Sequence, residues 1–159
     1  MPTLARIDEV CGLVADAING STVAGDHTLA VADSMADIAD VEDIRAFDKR
    51  RVFVMPSAFS QIETSSRARD LNEYRASLFV VDWFRDTEST GKTYTEDWRR
   101  DQTLFVQTLY DFLANIRSPR PIAGFFTQTL DVVEVYSIPL LREHGIYWSE
   151  LEIALRRHE

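Results

Sequence analysis

The chain has one cysteine, Cys11, in 159 residues, so no internal disulfide can staple it. A lone thiol cannot complete a tetrahedral metal set. The three histidines, His27, His144 and His158, offer no i, i+4 pair to help it. Long apolar runs are also missing: the stretch from Leu78 to Val81 is far short of a membrane span. The opening MPTLARIDEV carries Asp8 and Glu9 where a signal peptide needs a continuous apolar centre. These absences lead to the expectation of a cytoplasmic chain with no membrane partner, no metal and no cofactor. Basic residues are scarce as well, with 17 Lys and Arg against 26 Asp and Glu and a net charge of −9. Binding phosphates needs an excess of Lys and Arg on the contacting face, so direct nucleic-acid recognition is not expected.

What is present reads as one α+β domain over residues 1–159. Apolar residues make up 45% of the chain, enough for one sizeable core. Thr3 can cap a first helix whose Leu4, Ile7, Cys11, Val14 and Ile18 recur at spacings of three and four, and Asn19-Gly20 supplies its stop. Short-strand character follows around Thr28–Val31, then an Asp-rich connector, then a strand over Arg51–Met55 that Pro56 is expected to end. Residues 56–72 read as a long polar loop, the kind that usually has a function. The next strand, 74–84, contains LFVVDWF, apolar on both faces apart from Asp82, as in a strand covered on two sides. One cover would be helical and the other a neighbouring subunit.

The second helix should be the longest. Thr93 and Glu96 have capping-box spacing, and Trp98, Phe105, Leu109, Phe112 and Ile116 form a stripe that Val106 and Leu113 widen, with residues 117–119 as its stop. A strand over 130–138, a helical turn over 140–144 and a last strand over 146–155 complete the chain. In that last strand Tyr147, Ser149, Leu151, Ile153 and Leu155 alternate with Trp148, Glu150, Glu152 and Arg156. The expected architecture is a mixed or antiparallel sheet of four to five strands with one long and one shorter helix packed on it.

No pattern of catalytic residues emerges, and the protein is not expected to be an enzyme. Gly91-Lys92-Thr93 lies between a strand and a helix, as a phosphate loop would. But the first glycine of GxxxxGK[ST] would fall at residue 86, which is Asp86, an anion aimed at an anion. The hydrophobic run ending in Asp82 precedes the Gly-Lys-Thr instead of following it. A polar turn feeding a helix is the expected reading, and a phosphate-binding enzyme is a remote alternative. Cys11 sits on an apolar stripe, so it reads as a small buried hydrophobe and not a nucleophile. The pair Glu150 and Glu152 reads as a solvated edge, and Trp83, Trp98 and Trp148 fall where a core or an interface would use them.

The charge is uneven. Residues 1–46 hold nine acids and two bases, whereas residues 47–75 hold six bases and four acids. A chain with one acidic and one basic region can dock head-to-tail on its own copies. The candidate partner residues are therefore Lys49, Arg50, Arg51, Arg67 and Arg69 on the basic side, and Asp40 and Asp43 on the acidic side. An arginine fork suits a carboxylate on the next subunit or on another protein.

Several phrases, in order, resemble the tail-terminator (tail-completion) proteins of long-tailed bacteriophages. The acidic connector closes on an aromatic-Asp phrase at residues 40–48, and RVFVMP follows with its Val-x-Pro ending. A long loop carries Arg67 and Arg69, an apolar strand precedes the main helix, and LREHGIYWSELEI at 141–153 matches the family's closing segment. The resemblance spans about residues 4–156. The chain departs from the pattern at Gly145-Ile146-Tyr147, where Val-Phe is usual, and in a longer 118–129 linker. The resemblance implies a structural virion protein: a homohexameric ring at the head-proximal end of the tail, assembled in the host cytoplasm. Such a ring stops polymerisation of the tail tube protein and presents a joining surface to the head-side connector or stopper protein. A head–tail connector or stopper of the same neck region is the alternative.

Overall fold

The computed structural model describes residues 6–21, 30–32, 38–63, 71–116 and 122–159. The elements run α1 (Arg6–Asn19), β1 (Ala30–Ala32), α2 (Val41–Arg45), β2 (Arg51–Glu63), β3 (Leu71–Trp83), α3 (Thr87–Thr90), α4 (Glu96–Ala114), β4 (Phe126–Glu134), α5 (Ile138–His144) and β5 (Ile146–His158). The fold is α+β. Among the described residues a five-stranded sheet has the order β1-β2-β3-β5-β4, antiparallel except for the parallel β1–β2 pair.

Period decides the layers. Even-numbered residues of β2 and β3 (Val52, Val54, Tyr74, Ala76, Leu78, Val80) and odd-numbered residues of β5 (Tyr147, Leu151, Ile153, Leu155) face the main core. There they meet Ile7, Val10, Cys11, Val14 and Ile18 of α1 and Phe105, Val106, Leu109 and Leu113 of α4. Both long helices therefore lie on one face of the sheet. The opposite face has a smaller cluster, Phe53, Val81 and Ile146 under Ile44 of α2, with Leu140 of α5, Trp83 and Trp148 around it. Two-sided cover over 80–84 is thus supplied within the chain itself.

Several sequence expectations need correction. β2 does not stop at Pro56; it continues to Glu63 and pairs with β3 from Leu71 onward, so the expected loop over 56–72 is largely a long hairpin. Among the described residues β1 pairs with Arg51, Val52 and Phe53 of β2, and the register slips just past Pro56. A bulge is one of the places where a strand tolerates proline. The cap of α4 is Thr95, whose hydroxyl accepts from the Trp98 backbone N–H, and not Thr93. The acidic connector contains a capped helical turn, α2. β4 begins at Phe126 and ends at Glu134, earlier than expected. β5 is an inner strand between β3 and β4, so Glu150 and Glu152 are not on a sheet edge; β4 is the edge. Thr3, Leu4, His27, Thr28 and residues 117–119 lie outside the described residues, so the proposed first cap, the first residue of the α1 stripe and the stop beyond Ile116 are not placed.

Gly145 has both a conformational and a steric role in the α5–β5 turn. It ends α5 in the left-handed conformation, φ 64°, and a Cβ there would collide with the Thr93 carbonyl oxygen. Its own carbonyl accepts from the Phe84 N–H, tying the α5–β5 turn to the end of β3.

Candidate functional site

The three consecutive cations, Lys49, Arg50 and Arg51, enter β2 and are divided between the faces of the sheet. Arg51 belongs to the face of Phe53: its guanidinium sits over the Phe47 ring at 5.3 Å and donates to Asp48 at 3.2 Å. Its Nε is buried without a hydrogen-bond partner among the described residues. Arg50 turns to the helical face, stacked over the Phe105 ring of α4 at 4.2 Å, and its Nε donates to Gln102 Oε1 at 2.8 Å. Lys49 remains exposed.

Gln102 is the residue that links this corner. It lies on the buried stripe of α4 and is only 2% exposed. Its amide nitrogen donates to Asp82 Oδ2 at 2.8 Å while its oxygen accepts from Arg50. Asp82 Oδ1 accepts from Arg85 at 3.0 Å and from the Trp83 backbone N–H at 2.9 Å. Asp82 is therefore fully bonded within the chain. Burial lowers the Arg50 pKa below the ordinary arginine value, and the nearby charges of Asp82 and Asp101 partly offset it. These groups border a cavity of about 570 Å³, which Asp48, Lys49, Trp98 and Asp101 also line. Gln102 could have been noticed in the sequence, because a polar residue between Trp98 and Phe105 interrupts the apolar stripe at helical spacing.

The acidic candidates have local tasks. Asp40 Oδ1 accepts from the backbone N–H of Glu42 and of Asp43, and Asp43 Oδ2 accepts from those of Ala39 and Asp40, a reciprocal cap on α2. Asp40 is exposed and Asp43 half-buried, and both are committed to holding this turn. Arg67 and Arg69 lie outside the described residues. Gly91 ends α3 in the left-handed conformation, φ 66°, and Lys92 is exposed in the turn that follows. Cys11 is buried on α1, within the core.

The most apolar exposed surface is elsewhere. β4 pairs with β5 along one side only, and its other margin has no ladder partner among the described residues. Val132, Val133 and Val135 on and beside it are 41–55% exposed, and Leu104 and Ile138 are exposed too. A groove of about 350 Å³ runs between β4 and α4, with Val106, Tyr110, Leu130 and Val132 in its walls. No family model matches the chain, and no curated protein matches it; the surfaces above are the basis for a functional reading.

Proposed function

We propose that this protein is a structural subunit that associates with its own copies and caps a bacteriophage tail tube, ending tube growth and offering a joining surface to a head-side connector. The observation that carries the association is the contrast between the two margins of the sheet. β4 presents an edge without a ladder partner among the described residues, flanked by exposed valines. The opposite margin, the outer half of β2, presents Pro56, Ser57, Ser60 and Gln61 to solvent. Unlike margins favour head-to-tail contacts, and these close into a ring when the rotation per subunit completes a turn. The tail assignment is supported by the sequence phrases already described, which fall on α2, the start of β2, and the α5–β5 unit.

Light scattering on the purified chain tests the association, and electron microscopy of tails assembled in its presence tests the cap. A hexameric species and tails of uniform, closed length are expected. Val133→Lys adds a charge to the exposed margin, so it should leave the monomer folded and shift the population toward monomer. A wild-type chain that stays monomeric at every concentration, or tails that keep growing in its presence, would overturn the proposal.

A further inference from the structure

The corner where β2 begins and β3 ends has a cation that the fold holds but does not use. Arg50 is fixed from two directions, its plane by the Phe105 ring and its Nε by Gln102, yet its two terminal nitrogens have no hydrogen-bond partner among the described residues. Lys49 on the rim has no ion-pair partner among them either. The acids of the same cavity are mostly neutralised: Asp82 pairs with Arg85 and Asp48 with Arg51. The lining of this recess of about 570 Å³ carries three cations, Lys49, Arg50 and Arg85, and three acids, Asp48, Asp82 and Asp101; with Asp82 held by Arg85 and Asp48 by Arg51 from outside the recess, Lys49 and Arg50 are the two cations left without an ion-pair partner among the described residues.

We propose that this cavity binds a carboxylate, with the open fork of Arg50 as the gripping group and Lys49 as the second cation. A guanidinium with both terminal nitrogens available matches the two oxygens of a carboxylate, and stacking on a ring pre-orients it. A monoanion sets the least negative charge against Asp101. A phosphate dianion would add a second negative charge beside Asp101 and is disfavoured. The depressed basicity of Arg50 agrees with a charge that is desolvated and not fully compensated. Asp82 and Gln102 do not touch the ligand; they are positioning residues that keep the Arg50 fork in place. Two sources supply this chemistry, an Asp or Glu side chain of a second copy of this acidic chain, or a small free carboxylic acid. The site stands independently of the tail-tube reading.

The experiment uses acetyl-Asp-amide, which presents one side-chain carboxylate, with inorganic phosphate and chloride as comparisons. The Arg50 Nε–H and Trp98 indole N–H resonances are followed by NMR in the wild type, in Arg50→Lys and in Lys49→Gln. Arg50→Lys keeps the charge over Phe105 but lacks the fork, and near-ultraviolet circular dichroism checks that it folds. Saturable shifts of both resonances in the wild type are expected, with affinity weakened about tenfold in Arg50→Lys and less in Lys49→Gln. For Arg50→Lys the Trp98 resonance alone reports. Light scattering on the same variants separates the sources. Looser assembly in both variants identifies the side chain of a second copy, and unchanged assembly identifies a free acid. No shift, a shift that phosphate produces equally well, or a shift of undiminished affinity in both variants overturns the site. A wild type that binds the probe but stays monomeric would remove the ring and leave this site standing.

Discussion

The two faces of the sheet use the same strands for opposite purposes. On the helical face, β2, β3 and β5 meet α1 and α4 over a continuous apolar layer that includes fully buried Leu78, Leu109, Leu113, Leu151 and Ile153. On the other face the apolar cover is confined to the end near Val81, under α2 and α5. Toward the far end that face becomes ionic. Glu73, itself only 3% exposed, accepts from Arg156 Nε at 2.7 Å and from Arg75 Nε at 2.9 Å, and Arg75 also reaches Glu152 at 3.2 Å. An apolar run on both sides of a strand thus need not imply a second subunit. Short helices of the same chain close one end, and paired charges line the other.

The largest expected effect lies on the helical face. Leu109→Ala would leave a cavity between α4 and the sheet in a close-packed layer. It should cost about 3–4 kcal/mol in urea unfolding, with the slope unchanged. An effect below about 1 kcal/mol would mean that the two faces contribute alike.

The ionic end should respond less strongly and with a pH signature. Burial raises the Glu73 carboxyl, but the hydrogen bonds from Arg156 and Arg75 outweigh it and hold the group below the ordinary glutamate range. A depressed carboxylate pKa stabilises the fold above the unfolded value, about 4.3, and that contribution is lost as pH falls through the folded value. Glu73→Gln should therefore cost about 2 kcal/mol at pH 7, reduced from a fully buried pair because Arg75 and Arg156 are partly solvated. The gap between the two proteins should narrow as pH drops from about 5 toward 3. A gap that is constant with pH in thermal unfolding would show that Glu73 acts by packing and not by charge.

The smallest effect is expected at the turn that imitates a phosphate loop. Lys92 is exposed, so Lys92→Ala should change stability by no more than about 0.5 kcal/mol. Magnesium-ATP should shift the melting temperature of neither protein. A saturable stabilisation by ATP that is lost in Lys92→Ala would revive the enzyme reading.

The strongest local periodicities translated directly into structure. The stripes of α1 and α4, the buried run in β3 and the alternation in β5 were all legible, because a helix or strand sorts its side chains by a fixed period before any neighbour arrives. The candidate site was only partly legible. Lys49 and Arg50 stood out as cations, but which of the two would be held, and by what, depended on Phe105 and Gln102, more than fifty residues away.

The sequence by itself determined the strongly periodic helices and strands and which side of each is apolar, since both follow from local spacing. Only the tertiary structure decided the strand order. That order places β5 inside and β4 at the margin of the described sheet, lets β2 run through Pro56 at a register shift, and aims Arg50 into a recess shared with Asp82 and Arg85. The reason is physical: pairing register and strand neighbours are set by backbone hydrogen bonds and packing between distant segments, which short-range periodicity does not encode.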